Sequence, residues 1–564
     1  MSVVQALLVL GPALGPGVVV AYDMPWSPDA RWTPFVLGQD TPAPRVVPSD
    51  AVMVLLGKVL GAGLAQSIVL VAILVGLALG AVALSDELAP GMGVAGRCAC
   101  AVAAVWNPFV SERLVIGQWV VVLGLAVLPW ALRATLRALG GKGSLYAVGL
   151  ALLVAGVGGV NTVVIVSLAV IPVVLGAFLT QRSRRATQVL ALAVAVTIGA
   201  SAVWALPSLL AGARVSGESA EAFAPTSDTP LGVWGSLLSG GGFWNGASHP
   251  DARGVPLIAV LAALLSVAAV ACLAVELRRH RQWLLTVPIL VGATLVVLSA
   301  LPLTRALWTV LVTDVPGGGA LRDSQKLLAI WVLGIALGTG LLLDRVLATV
   351  PRSLAGPVTV GTIGLILLLS PQMFWGIGGR LDAVRVPEGY RAAAGHLSAL
   401  PPGEVGLLPW NQYRRYAWND SRVSLTLGPR VIDQLVLFDD SLPLREQSVA
   451  GESPRSARVS ARIAGGTTPV AALGAEGVRY LAAELDTGLD LDVEAVRGAG
   501  RVVVDDPTLL VVDMGSRDVH PIPAGWAGWV GWLLSALTGV ALITWGVVGS
   551  VGRRLPTGLL TFRP

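Results

Sequence analysis

The feature that most constrains this chain is a recurrence of apolar stretches, each about as long as a bilayer's hydrocarbon core is thick. A helix needs about 20 mainly apolar residues to cross that core, because each residue advances it by only about 1.5 Å. Such segments cover residues 3–22, 66–84, 98–105 (short and weak), 119–132, 146–157, 160–179, 189–206, 255–273, 284–301, 328–346, 358–369 and 525–551. Charged residues make up 13% of the 564, about half the roughly 25% usual in soluble domains. A soluble enzyme, a disordered scaffold and a disulfide framework are thereby excluded. The expected fold is an α-helical polytopic membrane protein with about 12 spanning helices. Residues 3–22 read as a retained helix, since they lack the basic start and small-residue cleavage site of a leader. Residues 51–65 read as lying along the interface.

Lys and Arg mark the cytoplasmic ends of spans. They cluster at Arg133/Arg137/Lys142, Arg182/Arg184/Arg185, Arg278/Arg279/Arg281, Arg345/Arg352 and Arg553/Arg554. Alternating the helices puts all five clusters, and both termini, in the cytoplasm of a multi-pass plasma-membrane protein. The long polar segments 23–50, 106–118, 207–254, 302–326 and 371–522 then lie outside. The expected organisation is a helical membrane domain with outer loops over 1–370, an extracytoplasmic α/β domain over 371–522, and a last span with a short tail over 523–564. Within the outer domain, 405–408 and 478–483 read as strands and 390–397 as helix. Residues 502–504 and 509–512 read as a hairpin around Asp505-Asp506-Pro507-Thr508.

The net charge of +5 is too small to argue for nucleic acid. Cys98, Cys100 and Cys272 sit in apolar surroundings, and the four histidines show no metal-ligand spacing. No phosphate-binding loop or nucleophile elbow occurs, so the candidate chemistry lies on the outer face. Asp23 ends the first apolar stretch, where a carboxylate costs desolvation unless it has a use; it is equally readable as the first solvated residue past the membrane. Asp50 shares its loop. Asn107, Glu112 and Arg113 crowd hydrogen-bonding groups between two short spans, either as a site or as a network pinning helices. Arg322, Asp323 and Lys326 enter a span after a glycine-rich turn, a phosphate site or a solvated cap. Trp244 and Asn245 follow Gly240-Gly241-Gly242-Phe243, which reads as a mobile aromatic lid or an interfacial anchor.

Several of these runs carry a resemblance. Tyr22-Asp23-Met24, Pro48-Ser49-Asp50, Trp106-Asn107-Pro108-Phe109, Glu112-Arg113-Leu114, Gly117-Gln118-Trp119, Gly158-Gly159-Val160-Asn161, Gly241-Gly242-Phe243-Trp244-Asn245 and Arg322-Asp323-Ser324-Gln325-Lys326 resemble actinobacterial membrane glycosyltransferases of the GT-C class. The outer-domain ending Gly500-Arg501-Val502-Val503-Val504-Asp505-Asp506-Pro507 does so too. The nearest likeness is to the membrane region of the arabinofuranosyltransferase D type. That resemblance implies an inverting transfer of a sugar from a polyprenyl-phosphate donor to a cell-envelope glycan or lipid, on the outer face. It implies Asp23 as the base and needs no nucleotide sugar; a divalent metal is compatible with it but required by no cluster. The D type carries a much larger extracellular part, so the sugar, arabinosyl or mannosyl, and the acceptor stay open. The rival readings are a transporter or flippase, which would be expected to place charges within its spans, and a non-catalytic assembly factor.

Overall fold

The computed structural model describes all residues except 42, 213–214, 281, 444–447, 450, 516–524 and 552–564. Arg281, His520, Arg553 and Arg554 therefore lie outside the described residues. Ten helices among the described residues are long and apolar enough to cross a membrane: Ala62–Leu88, Val94–Val115, Trp119–Leu139, Gly159–Gln181, Arg184–Leu210, Pro256–Arg279, Trp283–Ala300, Ser324–Thr349, Arg352–Leu369 and Gly525–Val548. Ser2–Leu14 and Leu145–Val157 are shorter apolar helices. Ser324–Thr349 is the most enclosed and Arg352–Leu369 and Gly525–Val548 are the most peripheral, so the bundle is built around the segment whose first turn carries Lys326.

Three expectations change. The segment 3–22 is not one helix: Ser2–Leu10 ends at Gly11, and Val18–Ala21 is a buried strand. Pro12, Gly15, Pro16 and Gly17 break the helix, and the β-branched run that follows fits a pleated surface. The weak segment 98–105 is part of Val94–Val105, which Pro108–Val115 continues after a break at Trp106-Asn107. The stretch 106–118, expected as an outer loop, is thus mostly helix. Finally, 51–65 is a helix, Ser49–Leu60, broken at Gly61 before Ala62–Leu88 begins.

The part from 383 to 513 holds a five-stranded mixed sheet in the order Arg501–Asp505, Leu509–Asp513, Tyr480–Glu484, Val405–Leu408, Val436–Leu437. Leu509–Asp513 runs antiparallel to both of its neighbours, and Val405–Leu408 lies parallel to both of its own. Side chains alternate between its faces. Tyr480 and Ala482 join a core with Tyr390, Ala393 and Leu397 of Gly389–Ala399. Leu481 and Ala483 join another with Val459 of Pro454–Ala464 and Leu473 of Pro469–Ala475. Because both faces are covered there, Val405–Leu408 and residues 480–483 are buried and apolar without interruption. The strands expected at 405–408 and in the 502–512 hairpin are present, as is the 390–397 helix.

This mixed α/β part is stitched to the start of the chain. Val18–Ala21 pairs antiparallel with Met24–Pro25 on one side and with Ala383–Val384 on the other. Tyr22 donates its N–H to Val423 O (2.7 Å) and accepts from Leu425 N (3.0 Å).

Candidate functional site

Asp23 sits at the tip of the two-residue turn joining Val18–Ala21 to Met24–Pro25. Tyr22 takes a left-handed conformation there, φ 41°. The turn is pressed against the bundle, where Asp23 N donates to Ile116 O (3.1 Å). Gly117 makes that approach feasible. A Cβ on it would lie 2.3 Å from Ala21 O and 2.5 Å from Met24 N, and its φ is +72°. The carboxylate accepts from Gln118 Nε2 at Oδ2 (3.1 Å) and lies 3.5 Å from the Tyr413 hydroxyl at Oδ1. Burial pushes the Asp23 carboxyl above its ordinary range, against the opposing pull of Gln118, Arg430, Tyr413 and Arg45.

Asp23 opens onto a cavity of about 1890 Å³ between the helical bundle and the α/β part. Arg322, Asp323, Lys326, Asp50, Asn161, Trp244 and Asn245 line the same cavity. Lys326 donates to Asn161 Oδ1 (2.9 Å) and to Ala320 O, and it makes no ion pair within 4 Å among the described residues. Arg322 lies over the Phe223 ring at 4.9 Å and reaches Glu452 (3.4 Å), which also pairs with Arg45 (3.2 Å). Asp50 is matched by Arg430 (2.8 Å). Burial pushes Asp40, on the same wall, up to about 7, with Arg45 opposing and Asp440 adding to the rise. Trp244 packs edge-on against Phe223 at 4.7 Å, and Asn245 caps a short turn through Ala247 N (3.0 Å).

Three expected site residues are not on the cavity wall. Asn107 caps the helix Pro108–Val115, accepting from Val110 N (3.0 Å) and donating to Ala104 O (2.9 Å). Asn-Pro at a helix start is a capping signal, and that is the role it fills here. Glu112 and Arg113 are fully buried behind the wall, inside a segment of spanning length. They do not pair with each other, but both bond Gln325, a network that pins Val94–Val115 to the start of Ser324–Thr349. Arg113 makes a two-pronged bond to Asp323 (Nη1–Oδ2 2.5 Å, Nη2–Oδ1 3.0 Å) and also donates to Gln325 and Gln118. Glu112 accepts from Gln325 Nε2 at 3.5 Å.

The glycine–aromatic element is likewise a packed wall, not a lid. Phe243 is wholly buried under the Arg113 guanidinium, 4.2 Å from its ring centre. Gly241 leaves room for the buried Asp228–Arg253 pair, whose oxygen would lie 2.3 Å from a Cβ there.

Tyr413, Arg45, Arg430 and Gln118 complete the site, and of these only Gln118 lay in a run the sequence had singled out. Gln118 follows the Glu-Arg motif and was within reach of that signal. Tyr413 lies 390 residues from Asp23, and no spacing rule reports such a contact. Among the described residues, no group of three or more His, Cys, Asp or Glu gathers as metal ligands.

No family model matches the chain, and no characterised protein sequence does. Solved structures do. The chain is similar to the cryo-EM structure of arabinofuranosyltransferase AftD from Mycobacteria, with a TM-score of 0.59 and 17% identity over 92% of this chain and 39% of that one. A variant of the same enzyme gives 0.56 and 16%, over 92% and 41%. The crystal structure of ArnT from Cupriavidus metallidurans scores 0.42 at 12% identity, over 91% and 96%, too low to carry an argument. The chain thus spans about two fifths of AftD's length. The fold is that of a GT-C membrane glycosyltransferase, and the chain is a multi-pass membrane protein.

Proposed function

We propose that this chain is an integral membrane glycosyltransferase. It takes a sugar from a polyprenyl-phosphate donor and transfers it to a cell-envelope glycan or glycolipid. The observation that carries this reading is the shared cavity: a carboxylate raised by burial, Asp23, lies on one wall, and Arg322 and Lys326 lie on another. Asp23 is close enough to count among the charges Arg322 senses.

The chemistry needs both. Asp23 takes the proton from an acceptor hydroxyl as its oxygen bonds to the anomeric carbon. The bond from that carbon to the phosphate oxygen breaks, and the electron pair leaves on polyprenyl phosphate. Attack from the side opposite the phosphate inverts the centre. Lys326, with three donors and only two protein acceptors, and Arg322 stabilise the charge that develops on the leaving phosphate.

The test is turnover by the purified chain in micelles. Polyprenyl-phosphoryl-arabinose and an arabinan acceptor should yield polyprenyl phosphate and an extended glycan, read by mass spectrometry. Arg322→Gln and Lys326→Gln should each lower kcat/KM for the donor by roughly 10–100-fold, the scale of a hydrogen bond to a charged group. Acceptor KM should change far less. Equal losses for both substrates would remove the phosphate role.

The cavity lies on the outer face in this reading. The support is that the cavity and the basic clusters occupy opposite ends of the same helices. Gln118, Asn161, Leu209 and Lys326 line the cavity, while Arg133 and Arg137, Arg182, Arg184, and Arg345 sit toward the other ends of those helices. Protease added to intact spheroplasts should cut within 383–513; cutting only in inverted vesicles would reverse the topology.

A further inference from the structure

The buried network behind the cavity does more than join helices. Arg113 carries only donors. It therefore fixes the Gln118 side-chain amide: the oxygen faces Arg113, and the nitrogen must face Asp23. Arg113 cannot turn, because Asp323 grips both of its terminal nitrogens, Gln325 takes one of them, and the Phe243 ring lies against its plane. The Gln118 amide in turn occupies Oδ2 of Asp23 and leaves Oδ1, whose one described contact is the Tyr413 hydroxyl at 3.5 Å.

We propose that Gln118 is the positioning residue of Asp23, its amide oriented by Arg113 so that Oδ1, and not Oδ2, is the atom that receives the acceptor's proton. The consequence for the donor side is direct: Asp323, which holds Arg113, lines the cavity beside Arg322 and Lys326. One rigid chain of side chains, Asp323–Arg113–Gln118–Asp23, sets the distance between the phosphate wall and the base. The inference rests on Asp23 being the base, and its test is separable from that reading.

Other groups face Asp23 and bear on its charge: Arg430, Arg45 and Arg322 favour the ionised form, as does the Tyr413 hydroxyl, which stacks edge-on with Tyr22. None of them is altered in the variants below. Gln118→Glu keeps oxygens for Arg113 and takes away the N–H to Asp23. Gln118→Leu takes away both and adds no charge. Infrared difference spectra of the purified full chain against Asp23→Asn, run in either background, isolate the Asp23 carboxyl stretch without any turnover. The protonation midpoint should rise in both variants, by about one pH unit or more, tenfold in the ionisation constant. The acid limb of kcat/KM with polyprenyl-phosphoryl-arabinose should rise by the same interval. A folded Gln118→Glu or Gln118→Leu protein with an unmoved midpoint overturns the proposal. A midpoint that moves while Asp23→Asn still transfers sugar supports the positioning and sinks the base.

Discussion

Asp23→Asn is expected to lose roughly 10²–10⁴-fold in transfer rate, the usual contribution of a positioned base. The variant should fold and insert as the wild type does. Its amide can still accept from Gln118, and its N–H₂ group can face Tyr413. It should also be the more stable protein over part of the pH range. Burial holds the Asp23 carboxyl above its unfolded value. The folded chain therefore binds that proton more tightly than the unfolded chain does. Keeping the ionised form buried costs stability that appears as pH rises past about 3.9 and saturates above the raised value. Melting of Asp23→Asn should exceed wild type above that window and match it below. Such an exchange of stability for a reactive carboxylate is what an active site requires and a solvated helix end does not. Asp23→Glu should be impaired as well, because misplacing the carboxylate by about a bond length can cost about 10²-fold. An Asn variant that transfers at the normal rate would end the catalytic assignment.

The helical framework was legible because its cause is local. A lipid core of fixed thickness imposes a length on every span, and apolar runs report it directly. Asp23 was legible for the same reason, as a carboxylate where the apolar run stops. The conformation before it was misjudged because four apolar residues, Val18–Ala21, satisfy a strand as readily as a helix. The signal that separates the two lay just upstream, in Pro12, Gly15, Pro16 and Gly17. Arg113 shows a second limit. Its sequence neighbour Glu112 suggested a local pair, yet adjacent helix positions do not face each other, and its partner comes from Asp323, 210 residues on. The five-stranded sheet was readable from its short apolar runs and from the Asp505-Asp506-Pro507-Thr508 turn. That Tyr413, in the separate strand pair Tyr413–Arg414 with Ser424–Leu425, reaches Asp23 depends on the clamp between Tyr22 and 423–425, a tertiary contact with no periodic trace.

Glu484→Ala is expected to cost about 3–5 kcal/mol, the range found when one partner of a buried charge pair is removed. Glu484 has no exposed surface, and its carboxylate is saturated. Arg414 Nε donates to Oε2 (2.7 Å), Thr426 Oγ1 lies 2.9 Å from both oxygens, and the hydroxyls of Tyr416 (3.0 Å) and Tyr390 (3.2 Å) donate to Oε1. Removing it strands the fully buried Arg414 guanidinium and leaves three hydroxyls without their acceptor. On the scale of a domain this size, the loss should lower the melting temperature by roughly 10–20 °C. The damage should reach the cavity, because Arg414 anchors Tyr413, the residue that faces Asp23. Pairing Glu484→Leu with Arg414→Met removes both charges together, and swaps of that kind recover most of the stability lost by a single partner. Transfer should recover with it if Arg414 only anchors the strand. If stability returns and transfer does not, Arg414 itself, which lines the cavity, takes part in binding the substrate. A Glu484→Ala protein with unchanged melting and unchanged transfer would show that the α/β part is held to the site by other contacts.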